Sequence, residues 1–554
     1  MKLTGSQVIA EILLEHDVDT VFGYPGGAAL NVYDALYEYK DQIRHVLSAH
    51  EQGAAHAADG YARATGKTGV VFATSGPGAT NLVTGIATAF MDSVPMVAIT
   101  SNVPDSLIGR DAFQEICITG VTMPITKHNY FVNKIEDLAG ALKNAFRIAN
   151  SGRKGPVLID VTKDVSAATI DYKPGQLPEQ TETLPKADTK ELKKIADLIN
   201  NSKRPVIYAG GGISASEAVD ELSQLMTRAD IPAAYTMMAA GTVEPDDPRN
   251  MGLLGMHGTI AANRAIDKAD VMLALGTRFS DRVALNPKKF AKKAVKIQVD
   301  IDKSELNKNV VVDYSIVSDV RDFLQKLLPL IEKKERRDWI DEVAEMKKKT
   351  GDVKSKDAKI HPSEIISHVC ENTDKDTIYV TDVGQHQMWA AQYLKHIHTR
   401  SFITSGGLGT MGFGYGAAIG AQVGCPDKRV IHFTGDGSFH MNLNEACTAV
   451  SQKLPIITII MNNQVLGMVY QWQTSFYGKR YSETDPHRKT DFCKVGEGFG
   501  VKTFRAETPE EFDKAFAAAL KAKGPVWIDC AIGKEEKVLP MIPNGGTSED
   551  MIIG

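Results

Sequence analysis

A chain of 554 residues exceeds what one hydrophobic core supports, and about 150 residues per domain divides it into three or four. Its 63 Lys and Arg against 68 Asp and Glu leave a net charge of −5 with no long basic tract, which argues against nucleic acid or an anionic membrane as partner. The six cysteines (Cys117, Cys370, Cys425, Cys447, Cys493 and Cys530) are scattered without CxxC pairing and read as reduced, mostly buried thiols.

The N-terminal stretch MKLTGSQVIAEILLEHDVDTVFG carries Glu11, Glu15 and Asp17 inside its apolar pattern, predicting an amphipathic helix and not a signal peptide. Apolar runs such as LPIITIIM fall far below the roughly 18 residues of a membrane span. A soluble, cytoplasmic protein is expected. Strand-like runs then follow in three groups: GVVFATSG, PMVAITS and GPVLIDVT; RPVIYAGGG, VMLALGTRF and VKIQVDID; DTIYVTDVG, RVIHFTGDG, PIITIIMNN and PVWIDCAI. Continuous apolar strands that end in Gly, Asp or Thr and alternate with helical patterns predict parallel sheets covered on both faces. Two stretches break the alternation: polar, Pro-containing residues 166–189, and charge-dense residues 331–359, read as a solvated helix plus linker. The expectation is an α/β protein of three doubly wound parallel-sheet domains over 1–165, 190–330 and 360–530, with a tail over 531–554.

Ligands of such sheets gather at the carboxyl ends of strands, and three motifs fall there. In GDGSFHMNLNEACTAV…ITIIMNN, Asp436 sits between glycines after one strand and Asn463 ends the next; a right-handed crossover returns both to one sheet edge. A carboxylate, an amide oxygen and a backbone carbonyl, that of Val465, supply part of an octahedral Mg²⁺ shell and leave positions for a diphosphate. Local capping duties are the plain alternative, and the strand–turn–helix context favours the metal. GLGTMG, Gly407 to Gly412, satisfies G-x-G-x-x-G, but the acid expected about 20 positions on falls in the turn CPDKRV. A nicotinamide dinucleotide is therefore disfavoured against another diphosphate at a helix N-terminus. In SAHEQGAAHAADGYARATGK, Glu51 sits where a strand turns into a helix whose small residues allow close packing; a first-turn Glu is usually a surface group that complements the helix dipole.

Taken together, HEQGAAHAADGYAR, TSGPGATN, GLGTMGFG and GDG…NN resemble the thiamine-diphosphate enzymes. FGYPGGAALNVYDAL, DAFQE, TKHNYFV, GMHG, GTRFSDRV, GMVYQWQ, FYGKRYS and VLPMIPNGG are similar to the catalytic large subunits of acetohydroxyacid synthases (acetolactate synthases), from residue 3 to the tail. The resemblance implies a pyrimidine-binding first domain, an FAD-binding central domain, a diphosphate- and Mg²⁺-binding third domain and a tail over the active site. It implies a cytoplasmic transferase of branched-chain amino acid biosynthesis. Pyruvate would be decarboxylated on thiamine diphosphate and the hydroxyethyl carbanion condensed with pyruvate, giving 2-acetolactate, or with 2-ketobutyrate, giving 2-aceto-2-hydroxybutyrate. A homodimer or dimer of dimers, with sites shared between subunits, and a regulatory small subunit belong to the same expectation. A flavin-free catabolic acetolactate synthase and a flavin-dependent pyruvate oxidase are the rivals.

Residue by residue, the resemblance makes Glu51 the group that activates the cofactor pyrimidine and Met411 the bulk that bends the cofactor. Gly27, Ala28, Phe113, Gln114 and Lys163 would line the substrate side, with Lys163 the electrostatic partner of a keto-acid carboxylate. Trp472 would contact the second keto acid. Thiamine diphosphate would be held by Tyr24, Pro25, Gly26, Glu51, Thr74, Gly76, Asn81, Gly384, Gln385, His386, Gly409, Met411, Gly435, Asp436, Gly437, Ser438, Asn463, Gly467 and Met468. Mg²⁺ would be held by Asp436, Asn463 and Val465. FAD would be held by Gly210, Gly211, Gly212, Met256, His257, Gly258, Gly276, Arg278, Arg282, Asp300 and Asp319. Ser280 stands where the family's RFDDR has an acid, while Arg278 and Arg282 remain.

Overall fold

The computed structural model describes residues 1–175, 184–349, 354–395 and 397–553. Thr4 opens the first helix, Gly5–Glu15, with a capping box: its hydroxyl accepts from Gln7 N at 3.2 Å, and Gln7 Oε1 accepts from Thr4 N at 3.0 Å. Such a cap is worth about 1 kcal/mol. Val8, Ile9, Ile12 and Leu13 recur at helical spacing and are buried, which docks the helix on the first sheet.

Three six-stranded sheets follow, parallel throughout. The first comprises Thr20–Gly23, Arg44–Leu47, Gly69–Ala73, Met96–Asn102, His128–Val132 and Pro156–Thr162, lying in the spatial order 2-1-3-4-6-5 when numbered along the chain. The third (Ile378–Thr381, Phe402–Ile403, Val430–Gly435, Ile457–Asn462, Lys502–Ala506 and Val526–Ala531) repeats that order. The central sheet differs. Pro205–Ala209, Ala233–Tyr235, Asn250–Leu253, Val271–Leu275, Val295–Asp300 and Tyr314–Val317 lie as 3-2-1-4-5-6, the doubly wound arrangement associated with dinucleotides. Each sheet therefore has a switch point where the winding reverses: beside Gly23 and Ala73, Ala209 and Leu275, and Thr381 and Gly435.

Helix Glu51–Thr65 of the first domain packs along helix Phe413–Gly424 of the third with almost no space between them. A Cβ on Gly60 would strike the Ala417 carbonyl, and one on Gly420 the Ala57 carbonyl. The small residues read from the sequence thus set the distance between the two outer domains.

Two connecting stretches are more structured than expected. Strand Thr169–Asp171 pairs antiparallel with Lys2–Thr4, so the first domain reaches past residue 165; residues 176–183 lie outside the described residues. Within 331–359, helix Arg337–Lys347 is not solvated all round: Trp339, Val343 and Met346 are buried against the central domain, and Trp339 Nε1 donates to Pro205 O at 3.0 Å. Ahead of it, the Arg336 guanidinium donates to the terminal carbonyls of two helices, at Ile199 and Ala229; residues 350–353 lie outside the described residues. The six cysteines are free, but only Cys370 and Cys530 are buried, because the other four sit on partly solvated helices and loops. Among the described residues no helix is long and apolar enough to cross a membrane.

Candidate active site

At the first domain's switch point, Glu51 opens its helix as a buried carboxylate, and its Oε2 accepts from Asn81 Nδ2 at 2.9 Å. Asn81 ends the short helix Pro77–Asn81, which follows the turn carrying Thr74 and Gly76. Among the described residues the buried Thr74 hydroxyl has no partner, and Gly26 faces it so closely that a Cβ there would lie 2.7 Å from Thr74 Oγ1. Gly76 needs its positive φ of 60° and its missing side chain, because Gln114 Cα passes 2.9 Å from where its Cβ would be. Glu51, Thr74, Gly76, Asn81, Gly26 and Gln114 therefore converge. Tyr24, Pro25 and Gly27 lie exposed beside them, Ala28 is buried, and Phe113 is 88% exposed. Lys163 begins a helix at the end of strand Pro156–Thr162, half-buried.

The third domain brings Asp436 and Asn463 to one edge, as their strands pair with Gly435 beside Met461. Burial, aided by the nearby Asp529 charge, pushes the Asp436 carboxyl up to about 7 against the backbone N–H groups of Asp436, Asn463 and Gly437, and among the described residues it forms no ion pair. A buried carboxylate without a counter-ion, next to an amide oxygen and the buried Val465, fits a hard divalent cation that shares its shell with a ligand's oxygens. Asn463 Nδ2 donates to Gln385 Oε1 at 3.2 Å, and Gln385 in turn donates to Gln471 and to Glu536 O. Among the described residues the buried His386 Nε2 has no partner, and burial lowers this imidazole to about 4, so it faces the edge neutral. Gly384 and Gly435 lie beside His386, Gly467 beside Gln385 and Asn463, Gly437 beside Met411, and Ser438 accepts from Gly412 N, whereas Met468 packs against the third domain's core. The set fits a diphosphate and its cation.

Above that edge runs the Gly-rich loop. Gly409 is exposed and Met411 half-buried, and Met411 Cε lies 3.9 Å from the place a Gly437 Cβ would take. Asp382 lies under the loop, 1% exposed, accepting from Gly412 N at 2.8 Å, Gly414 N at 3.1 Å and Thr434 Oγ1 at 3.0 Å. Burial works to raise this carboxyl, but the His432 ring, whose Nε2 lies 3.4 Å from Asp382 Oδ2, together with the Gly414 N–H, overcomes it and holds the group at about 2.

The central sheet's switch point is as tightly built: a Cβ on Gly210 or Gly212 would run into Gly276, leaving backbone alone beside whatever binds there. Gly211 lies in the same turn, whereas Met256 and Gly258 follow the edge strand Asn250–Leu253, and Met256 packs with Leu539 and Met541. Among the described residues His257 Nδ1 has no partner and the half-buried Arg278 guanidinium makes no ion pair. Burial raises Asp300 to about 6. These features fit a dinucleotide such as FAD. Arg282 is exposed and reaches Asn544 of the tail at 3.4 Å. Asp319 caps helix Val320–Leu327, a duty that engages its carboxylate locally.

Trp472 is half-buried on helix Gly467–Phe476 and packs with Met256 of the central domain and Leu539 and Met541 of the tail. One apolar cluster thus joins three segments far apart in sequence. Sequence reasoning passed over Asp382, Asn442, Glu445 and Gln471. Gln471 clamps the tail through Val538 N at 2.9 Å and Val538 O at 3.1 Å, and Glu445 accepts from Ala49 N and His50 N, both at 3.1 Å, just ahead of Glu51. The only signal was TDVG, an acid at a strand end like several others.

Comparison with known proteins matches all three domains. Residues 3–123 match the profile of the thiamine pyrophosphate enzyme N-terminal TPP binding domain, 192–327 the central domain and 382–530 the C-terminal TPP binding domain. The chain is 45% identical to the probable acetolactate synthase large subunit of Methanocaldococcus jannaschii, over 99% of this chain and 95% of that protein. It is 44% identical to the acetolactate synthase large subunit of Lactococcus lactis, over 99% of this chain and 96% of that protein. Against acetolactate synthase isozyme 2 large subunit of Escherichia coli it is 41% identical, over 99% of each chain. With three matched domains in order and end-to-end kinship of this strength, the chain belongs to the thiamine pyrophosphate enzymes, among the acetolactate synthase large subunits.

Proposed function

We propose that the chain is an acetohydroxyacid synthase catalytic subunit, joining the two-carbon remainder of pyruvate to a second pyruvate or to 2-ketobutyrate on the route to valine, leucine and isoleucine. The observation that carries this reading is the buried, uncompensated Asp436 carboxylate facing Asn463, in a chain aligned end to end with acetolactate synthases. When bound, thiamine diphosphate supplies the nucleophilic carbon and the electron sink for loss of CO₂. Asp436, Asn463 and the Val465 carbonyl would hold Mg²⁺, and His386, Gln385, Gly435 and Ser438 would receive the diphosphate. Glu51 holds and returns a proton at the pyrimidine ring, oriented by Asn81. Lys163 draws in the keto-acid carboxylate beside Gly27, Phe113 and Gln114. Trp472, Met256, Leu539 and Met541 form the apolar wall against which the acceptor's alkyl group lies.

FAD would be held at the central switch point by the Gly210–Gly212 and Gly276 turns, with the Arg278 guanidinium available to an anionic group; the net reaction requires no redox step. A second copy of the chain completes the site. In support, Tyr24, Phe113, Leu408 and Met441 are all exposed apolar side chains at the two half-sites. The relatives' designation as large subunits supports a regulatory small-subunit partner. The working compartment is the cytoplasm.

The test is an anaerobic assay with pyruvate, alone and with 2-ketobutyrate, with and without each cofactor, after an absorbance scan of the purified protein. Acetolactate formed without an electron acceptor, dependent on thiamine diphosphate and Mg²⁺, by a yellow protein is the expected result. Acetate formed only with an electron acceptor would establish a pyruvate oxidase. A colourless, fully active enzyme indifferent to FAD would establish the catabolic relative.

A further inference from the structure

The loop bearing Met411 is anchored on both sides by groups to which no role has been assigned. Asp382 accepts from Gly412 N and Gly414 N, the peptides immediately after Met411. From the opposite side, Asn442 Nδ2 donates to Gly412 O at 2.6 Å. Both anchors reach back to the metal edge. Asn442 is the last residue of helix Asp436–Asn442, which Asp436 begins, and Asp382 also takes the hydroxyl of Thr434, two residues before Asp436. Both residues are at least 96% buried. Before Met411, the loop is tied to the first domain: Asp92 accepts from Gly406 N at 3.0 Å and Gly407 N at 2.7 Å, and Thr410 meets Thr88 at 2.8 Å.

We propose that Asp382 and Asn442 are positioning residues for the reaction, a two-sided brace that fixes the Met411 buttress at a set distance from the cation edge at Asp436. The inference rests on the reading that Met411 bends the cofactor. A brace of this kind sets where the bent portion sits without itself contributing to diphosphate binding. Its loss therefore lowers turnover while affinity persists, since misplacement by about 1 Å costs on the order of 10²-fold.

The test uses the full-length enzyme and the variants Asp382→Asn, Asn442→Ala and Met411→Ala. Calorimetry measures thiamine diphosphate affinity at saturating Mg²⁺, steady-state assay separates kcat from KM for pyruvate, and hydrogen exchange follows residues 406–414 in the cofactor-free protein. The expected result for both brace variants is a kcat lower by on the order of 10–10²-fold, with affinity and KM within about threefold of the parent. Exchange in the loop should accelerate about tenfold or more without a global change. Parent-level kcat in both brace variants, or an equal fall in affinity and kcat, overturns the proposal. If Asp382→Asn fails to fold, Asn442→Ala decides alone, because it removes a bond without unpairing a charge. Met411→Ala separates the two claims: undiminished kcat there refutes the buttress reading itself, whereas a low kcat there with both brace variants unaffected refutes only the brace.

Discussion

Asn81 donates its side-chain amide to the Glu51 carboxylate over 2.9 Å, joining the end of one helix to the start of another at the first domain's switch point. Glu51→Gln leaves a side chain of the same shape that cannot exchange a proton. Thiamine diphosphate affinity should stay within a few-fold while kcat drops about 10²–10⁴-fold. Calorimetry and steady-state assay on one preparation measure both. Turnover within threefold of the parent would end the assignment.

Asp436→Ala should abolish the Mg²⁺ dependence of cofactor binding, since an octahedral shell does not easily replace a carboxylate. Titrating the cofactor with and without Mg²⁺ reads this out. Unchanged Mg²⁺-dependent affinity returns the GDG turn to a local capping role.

Trp472 packs with Met256, Leu539 and Met541, so Trp472→Leu enlarges a wall shared by three segments. The preference for 2-ketobutyrate over pyruvate should fall, because one methylene in an apolar pocket is worth roughly 1–3 kcal/mol, or about 10–200-fold. Acetolactate formation should be largely retained. Competition between the two acceptors, with both products quantified, gives the ratio; an unchanged ratio with lost thermal stability makes the indole a packing residue.

Asp160 is 2% exposed, and burial raises its carboxyl to about 6, offset only in part by bonds from Thr100 Oγ1 and Asn102 Nδ2. Between the unfolded value near 4 and about 6 the folded state holds the proton and the unfolded state does not, so this group lowers stability as pH rises through that window. Above it the cost is on the order of 3 kcal/mol. Asp160→Asn should therefore gain stability over the parent at pH 8 and only about half as much at pH 5. Denaturant unfolding at both pH values checks the sign; a larger gain at pH 5 contradicts it.

The three sheets were readable because their strands are unbroken apolar runs punctuated by Gly, Asp or Thr, a pattern that depends on neighbours in sequence. Glu51, Asp436 and Asn463 were readable because each ends or follows such a run. Asp382 looked the same from its neighbours; what distinguishes it is convergence of Gly412, Gly414 and Thr434, up to 52 positions away. The helix Arg337–Lys347 misled for a related reason. Three apolar residues among many charges suffice to dock it, but the surface that receives them is built by strands and helices of the central domain far from it in sequence.

The contact between helices Glu51–Thr65 and Phe413–Gly424 has a consequence for synthesis. The first helix leaves the ribosome with its Ala- and Gly-rich face bare, and roughly 350 residues must follow before its mate appears. At ~5–20 residues per second that wait lasts on the order of 20–70 s. The first domain's own sheet packs against other parts of that helix, so the face stays open until residues 413–424 emerge, and a chaperone that shields it during this interval would guard the joint on which both outer domains close.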